Sequence, residues 1–544
     1  MVAFYERGDK IKGRGLSKVK LKTLLIFYPT TRKTIMDTPL AVPTLKSFLI
    51  SKNYKKLRIA ELQTFHESKI KRIKFYFYYR FLNHTYKFRF EKQRIKNILY
   101  GIGYFIQHGY EKTNPDYNIS LNSIIVSAFD KIRVEKYKNY QNVKSLIERC
   151  KPDLVGFSVN FPEQIYYSLV ISNAIKSLDK NIFIVMGGSQ ITKNIERLIK
   201  TKGMAKLVDG FVINEGEEPI SELIYQLEHS KKLGKVPNLY FKNGRGSYRK
   251  SKTRFCCNSD YIFAPNFDGL KPSNIPLHIS FGCPWGRCSF CSYRLLHKKY
   301  SCAKVEKIIE IIKFLKAKYK VDSFSFVDDC LTPIFLRDFS KALLKNNIKI
   351  FWGCFVALLP GFNTSTVKLM TKSGCRQVFI GLESMSPRIL KLMNKAHSPE
   401  MAKKILNLFE NSGIFVNVGI IFGFPTESEK EVLTTFNFIK NNRNLFDEIS
   451  IQQFCLEDDT LVFKNPRKFG ITKIYKQDKN HGIRLGYRYE TSGGMTQEYC
   501  EKFAEEARNT LRKYGCNVPT RIIRDKIDIE KIKNNLHRYG YRVI

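Results

Sequence analysis

The chain has 544 residues, 43% of them hydrophobic, and a formal net charge of +44. That length exceeds one ordinary core and calls for two or three domains, and the apolar content is that of a globular protein. No run approaches the ~18 apolar residues of a membrane span, and residues 1–7 (MVAFYER) lack the apolar core of a signal peptide, so the expected compartment is the cytoplasm. The 13 cysteines are scattered outside one cluster and Cys256-Cys257, which argues against a disulfide framework. A strongly positive field attracts nucleic acid, anionic membrane surfaces or acidic peptides. The bland alternative is compositional, since Lys, Ile and Asn are abundant throughout.

Residues 21–28 (LKTLLIFY) read as a buried strand followed by a Pro29-Thr30 turn. A helix beginning near Pro43 and a second strand over 57–62 complete a parallel opening. Residues 66–140 interrupt it. Within them, 69–96 carries ten Lys/Arg, one acid and nine Phe/Tyr. Basic residues interleaved with aromatics bind nucleic acid by charge and stacking. The same pattern suits an amphipathic helical insertion, which is favoured here because no nucleic-acid module is recognisable. The parallel pattern resumes at 153–159 (DLVGFSV), with a helix over 165–178 and a strand over 182–186 leading into Gly187-Gly188. A last short strand over 208–213 ends in Asn214-Glu-Gly-Glu-Glu-Pro219. These elements predict a doubly wound domain over 1–235, whose ligand lies beyond the strand C-terminal ends. Residues 236–274 read as a linker with a small hairpin.

A second βα series starts near Ile275. Strand ends fall near Phe281, Val327, Phe355, Ile380, Phe422 and Phe454, with helices over 303–318, 336–346, 364–373, 399–412 and 428–441. Six βα units predict a partial (β/α)6 barrel over 275–465, with its chemistry at the strand C-terminal ends. Four unusual stretches fall there: Cys283-Pro-Trp-Gly-Arg-Cys288-Ser-Phe-Cys291, Asp328-Asp329, Gly381-Leu-Glu-Ser384 and Gly423-Phe-Pro-Thr-Glu427. Three thiols from one loop suit an iron–sulfur cluster. Structural zinc is the rival; it needs a fourth ligand, which Cys302 could supply. Asp328 and Asp329 read equally as a base or substrate contact and as caps of the next helix. His278 reads as core, and His297 and His397 as loop or surface residues. Residues 466–544 read as a basic helical region, with an amphipathic helix over 496–514.

In their order and spacing these stretches resemble the cobalamin-binding radical S-adenosylmethionine (radical SAM) family over roughly residues 20–455. Cys283 to Cys291, Phe326-Val-Asp-Asp329, Phe379-Ile-Gly-Leu-Glu-Ser384 and Gly419-Ile-Ile-Phe-Gly-Phe-Pro-Thr-Glu427 look like its barrel motifs. Asp153-Leu-Val-Gly-Phe-Ser158, Met186-Gly-Gly188 and Glu215-Gly-Glu217 look like its cobalamin domain. The resemblance implies a [4Fe-4S] cluster on Cys283, Cys288 and Cys291, whose open iron holds S-adenosyl-L-methionine (SAM). It implies SAM contacts at Phe290, Glu383, Ser384, Gly419 and Gly423, and cobalamin contacts at Ser158, Gly187, Gly188, Glu215 and Gly216. Electron transfer from a flavodoxin- or ferredoxin-like reductant would then cleave SAM to a 5′-deoxyadenosyl radical.

Two features depart from the family pattern. Four residues, not the usual three, separate Cys283 from Cys288, with Gly286 able to absorb the extra one. The loop over 29–43 holds no histidine, so the Asp-x-His-x-x-Gly cobalt-ligating pattern is absent. The implied activity is C-methylation of an unactivated carbon in a peptide or natural-product intermediate through methylcobalamin. Rearrangement or ring formation with the same cofactors, RNA modification, and a non-catalytic cobalamin or zinc sensor are the alternatives.

Overall fold

The structure is a computed structural model that describes residues 21–27, 41–52, 57–61, 140–160, 162–244, 246–254, 262–268, 272, 274–292, 300–458, 460–475 and 486–518. The basic and aromatic insertion lies outside the described residues, as do most of the 29–43 loop, Cys256-Cys257, His297 and the tail beyond 518.

The first unit runs β1 (Thr23–Phe27), α1 (Ala41–Ser51), β2 (Leu57–Glu61), α2 (Tyr140–Cys150), β3 (Leu154–Ser158), α3 (Pro162–Leu178), β4 (Phe183–Gly187), α4 (Ser189–Leu198), α5 (Met204–Leu207), β5 (Gly210–Val212) and α6 (Glu217–His229). The hairpin β6 (Leu239–Lys242) and β7 (Tyr248–Lys250) follows. Strand order is β2-β1-β3-β4-β5-β6-β7, parallel through β5 and antiparallel after it. Neighbouring residues on each strand point to opposite faces. Val155, Phe157, Ile184 and Met186 pack with α2, α3 and α4, whereas Leu154, Val185 and Val212 pack with α1 and α6. Helices on both faces explain the near-continuous apolar strands. The expected hairpin of the linker is thus an extension of this sheet. Residues 262–268 are ordered as well: Phe263 rings against Phe48 of α1, and Asn266 N–H donates to Pro43 O (3.0 Å).

The second unit begins with β8 (Ile275–Leu277), β9 (Ser280–Phe281) and β10 (Ser301–Cys302), which pairs antiparallel with β9. There follow α7 (Val305–Tyr319), β11 (Ser323–Phe326), α8 (Pro333–Lys345), β12 (Phe351–Val356), α9 (Thr364–Lys372), β13 (Cys375–Glu383), α10 (Pro387–Met393), α11 (Pro399–Phe409), β14 (Phe415–Phe422), α12 (Glu429–Asn441) and β15 (Glu448–Gln453). Strand order is β15-β14-β13-β12-β11-β8, every pair parallel, and among the described residues the outer strands are unjoined, so the six-stranded sheet is open. Side chains of Thr332, Asn363, Ser386 and Ser398 accept N–H groups at the starts of α8, α9, α10 and α11, and Ser428 with Glu431 closes a capping box on α12. Apart from the Ser398 cap, which starts α11 after α10, these caps start each helix immediately after a strand-end loop, leaving the loops to form one rim.

The C-terminal region is not purely helical. After α13 (Leu461–Lys464), β16 (Ile471–Ile474) pairs antiparallel with β17 (Tyr489–Thr491) before α14 (Gln497–Lys513). Helix α14 covers the open edge at β15: Ala504, Ala507 and Leu511 join the barrel core, and Arg508 Nη1 donates to Ile451 O (3.3 Å).

Candidate active site

The cysteine loop leaves β9 at Gly282 and is fixed from below by the end of α10. Ser289 N–H donates to Met393 O (2.9 Å), Ser289 Oγ to Leu392 O (2.8 Å), Trp285 Nε1 to Asn394 O (2.7 Å) and Asn394 Nδ2 to Arg287 O (2.8 Å). Three of these satisfy carbonyls that a helix C-terminus leaves open. Asn394 reaches its position through a left-handed backbone (φ 55°), which Asn tolerates. Gly286 lies at φ 57°, and a Cβ there would stand 3.2 Å from Cys283 O. The longer first gap of the motif therefore turns where glycine is needed.

Cys283 and Cys288 lie in different surroundings. Cys283 Sγ is 3.4 Å from Cys330 Sγ, and that contact draws its pKa down to about 6 against burial, helped by the backbone N–H groups of Gly286 and Trp285. The shared proton and burial push Cys330 upward. Burial also raises Cys288, opposed by the nearby Lys395 ammonium. Lys395 Nζ pairs with Glu383 Oε1 at 3.1 Å, both side chains largely buried. Burial works against the Lys395 charge, but Glu383 and Cys288 outweigh it and raise its pKa. Among the described residues no three His, Cys, Asp or Glu side chains form a group that could hold a single metal ion. Cys302 lies on β10, and burial raises its pKa to about 11.

The two strand-end aspartates part company. Asp328 is 1% exposed, and its Oδ1 accepts from Ile279 N (2.9 Å), Ser280 N (2.6 Å) and Ser280 Oγ (2.7 Å). It ties the end of β11 to β8 and β9, while Thr332 caps the next helix. Burial raises its pKa, opposed by His278 at 3.8 Å and by those donors. Asp329 is half-buried and lies within electrostatic reach of Cys283 and Cys330. His278 is one-third exposed, edge-on to Phe281, and so is not core. His397 is the reverse: 6% exposed, its Nε2 3.2 Å from Leu382 O, its pKa pushed down to about 3 by burial and then Lys395. Its position under β13 replaces the surface reading.

At the β13 end a bulge between Gly381 and Glu383 turns Glu383 to φ 63°. A Cβ on Gly381 would meet Glu383 Oε1 at 2.5 Å and Lys395 Nζ at 3.2 Å, so this glycine makes room for the ion pair. Ser384 is buried, with its Oγ 3.3 Å from Thr435 Oγ1 and accepting from Ser386 N (3.1 Å). Its hydroxyl is engaged inside the fold. Phe290 packs against a cluster containing Met393, Phe424 and Phe454. Around Gly419 a Cβ would find only Ile380 O, at 3.8 Å, whereas Gly423 (φ 79°) is pressed against Cys500 of α14. Glu427 is 1% exposed; its Oε2 accepts from Gly423 N (2.7 Å) and Phe424 N (3.3 Å), and its Oε1 has no partner. Burial pushes its pKa up to about 8 against those two donors.

The first unit presents a different rim. Gly188 (φ 108°) closes on the β3 end so tightly that a Cβ would stand 2.5 Å from Val159 O. Ser158 Oγ accepts from Asn160 Nδ2 (3.2 Å). Asn214, at φ 61° after β5, has a buried Nδ2 without a hydrogen-bond partner. No atom lies within 4 Å of where a Cβ on Gly216 would point. Glu215, Glu217, Pro219, Asn238 and Arg254 line a small cleft together with Phe281 of β9. Burial raises the Glu217 pKa, and His278 from the second unit opposes it. The two rims thus meet where the cysteine loop begins.

Residues 277–439 match the Radical SAM superfamily. The radical SAM likeness is carried by this segment. An uncharacterised methyltransferase of Pyrococcus horikoshii is 29% identical to this chain over 351 residues, which cover 61% of the chain and 75% of that relative. The fold matches the cobalamin-dependent SAM radical enzyme OxsB, solved with aqua-cobalamin, at a TM-score of 0.62 and 15% identity, over 96% of this chain and 70% of that one. It also matches the radical SAM methyltransferase TsrM of Kitasatospora setae, solved with cobalamin and a [4Fe-4S] cluster, at a TM-score of 0.59 and 12% identity, covering 84% and 81%. At these identities the two structural likenesses are likenesses of fold, and they span both units.

Sequence reading missed Cys330, Lys395 and Asn394. The signals were weak: a cysteine two residues after Asp328, and an Asn-Lys pair following a short helix. None repeats at a ligand spacing, and only the tertiary fold brings them to the cysteine loop.

Proposed function

We propose that the chain is a cobalamin-dependent radical SAM C-methyltransferase acting on an unactivated carbon of a peptide or natural-product intermediate. The observation that carries the proposal is the meeting of two rims, one bearing three thiols and the other an open glycine-lined edge. Cys283, Cys288 and Cys291 would hold the cluster, a soft donor set stabilised by Cys330 and two backbone N–H groups at Cys283. The orphaned Asn214 amide and the space at Gly216 suit a large polar cofactor over Ser158, Gly187, Gly188 and Glu215. When bound, the cluster with SAM supplies a 5′-deoxyadenosyl radical and cobalamin supplies a methyl group.

This chain's own residues bind and orient. Asp329, Glu383 and Lys395 offer opposite charges to the amino and carboxylate ends of SAM. Phe290 and the open backbone at Gly419 offer apolar surface to its adenine. The α10 clamp holds the thiols in place, and the buried Asp328 keeps the first strand ends registered. A flavodoxin- or ferredoxin-like protein is the proposed reductant.

A relative named anaerobic magnesium-protoporphyrin IX monomethyl ester cyclase, from Rubrivivax gelatinosus and 22% identical over 317 residues, favours a second reading, in which the same cofactors drive a rearrangement or ring formation. Anaerobic reconstitution with iron, sulfide and cobalamin, then SAM and reductant, separates the two. 5′-Deoxyadenosine together with S-adenosylhomocysteine is expected for methylation. 5′-Deoxyadenosine alone supports the rearrangement, and neither product, with zinc retained, removes both.

A further inference from the structure

A fourth thiol touches the cysteine loop. Cys330 is 6% exposed, and its Sγ lies 3.4 Å from Cys283 Sγ. Both sides of this contact are anchored. Asp328, two residues before Cys330, is held by the Ile279 and Ser280 donors, and Leu331, directly after it, donates to Phe355 O (2.8 Å) and bridges to Val356. On the other side the α10 clamp fixes the loop that carries Cys283. The contact therefore joins two immobilised backbones, and burial keeps water from replacing it.

We propose that Cys330 is a positioning residue whose S–H donates a hydrogen bond to the Cys283 thiolate and raises the reduction potential of the cluster. This rests on reading Cys283, Cys288 and Cys291 as cluster ligands. Between two free thiols either sulfur could donate. A thiolate bound to iron has no proton, so in the loaded protein only Cys330 has one to give. Donors to ligand sulfurs withdraw negative charge, which favours the more negative, reduced cluster. Lys395 acts in the same direction beside Cys288, so removing Cys330 alone weakens the effect without abolishing it.

The test is an anaerobic redox titration of the iron-loaded protein, followed by electron paramagnetic resonance of the reduced cluster, with iron and sulfide counted in each sample. Cys330→Ala is expected to retain the iron but to stabilise the reduced cluster about threefold less, a shift of about 28 mV to more negative potential at 59 mV per decade for one electron. Cys330→Ser keeps a donor, and its stronger O–H group moves the potential in the positive direction. Equal potentials in all three proteins at equal iron content overturn the inference and leave the cluster reading intact. Loss of iron from a folded Cys330→Ala protein also overturns it, because Cys330 would then be a ligand. A wild-type protein that binds no iron overturns the cluster reading and this inference together. If Cys330→Ala does not fold, Cys330→Ser decides alone: an unmoved potential is the negative result.

Discussion

The two rims of this molecule are built on opposite plans. The cysteine rim is crowded with side-chain chemistry: thiols, a buried ion pair, a buried aspartate with three donors, and a helix end clamped to the ligand loop. The first rim is tied by amide and hydroxyl side chains, Gln164, Asn160 and Thr192 accepting from the backbone N–H groups of Asn160, Ser189 and Asn214, with Gly188 pressed against the β3 end, Gly216 open and the Asn214 Nδ2 unsatisfied. A cluster is bound through a few covalent ligands, so its rim must fix those ligands. A large organic cofactor is bound through surface, so its rim must leave space. Mutations should therefore act locally and sharply on the cysteine rim and through shape on the first.

The largest effect is expected at the proposed cluster ligands. Cys288→Ala removes one of three thiolates and should leave a folded protein with neither the wild-type iron content nor SAM cleavage. A variant that keeps both would end the contrast, since the cysteine rim would then not depend on its ligands. Next comes Asp328→Ala. It strips the acceptor from Ile279 N, Ser280 N and Ser280 Oγ in a buried setting, and stranded buried donors cost about 1–3 kcal/mol each before relaxation. A net loss of about 3 kcal/mol in chemical denaturation is expected. A loss below about 1 kcal/mol would mean that the first strand ends are held by something else.

Glu427 gives the cysteine-side unit a pH dependence. Its folded pKa, about 8, stands above the ordinary 4.5 because of burial. A carboxyl raised in this way contributes stability that is fully present below about pH 4.5 and is lost as pH rises through 8. Between pH 5 and 7 the wild-type protein should lose about 2 kcal/mol through this group. Glu427→Gln should flatten the profile in that window. Parallel curves for the two proteins would show that Glu427 stays ionised in the fold.

The two plans also explain what the sequence disclosed. Strand and helix periods and the cysteine spacing are local signals, and they place the elements of both units and the one loop that carries the three thiols. The deeper assignments are tertiary. Ser384 reads as a partner of Glu383 because the two are adjacent, yet the bulge at Gly381 sends Glu383 to Lys395 and Ser384 inward to Thr435. Gly423 reads as a ligand glycine, but its missing Cβ makes room for Cys500, some 77 residues later. His397 reads as surface because its neighbours are polar, and only the packing of β13 buries it. The hairpin within the expected linker was visible, but its pairing with β5 was not, since register is not a local property.

On the first rim the sharpest probe is a single methyl group. Gly188→Ala places a Cβ 2.5 Å from Val159 O and does so at φ 108°. Strain of this kind costs about 1–3 kcal/mol, and the displaced β3–β4 edge should bind cobalamin more weakly in spectroscopic titrations. The bound iron should be unchanged. Iron lost in parallel with cobalamin would show that the two rims are one mechanical unit.

The smallest effect tests that coupling directly. Lys193 and Arg197 of α4 reach Glu457 and Asp458 beyond β15, at 3.1 and 3.2 Å. All four side chains are partly exposed, so each pair should contribute only about 0.2–1 kcal/mol and be screened by salt. A double-mutant cycle of Lys193→Ala with Glu457→Ala, read by thermal unfolding in low and high salt, should return a coupling in that range that fades with salt. Cobalamin and iron binding should persist in both single mutants, because the ordered segment 262–268, packed on Phe48 and on α7 through the Phe267 N–H to Tyr319 Oη bond (2.8 Å), already joins the two units. A coupling above about 2 kcal/mol would overturn the contrast. The rims would then be held together by surface charge, and the interface, rather than either rim, would be where the molecule is most sensitive.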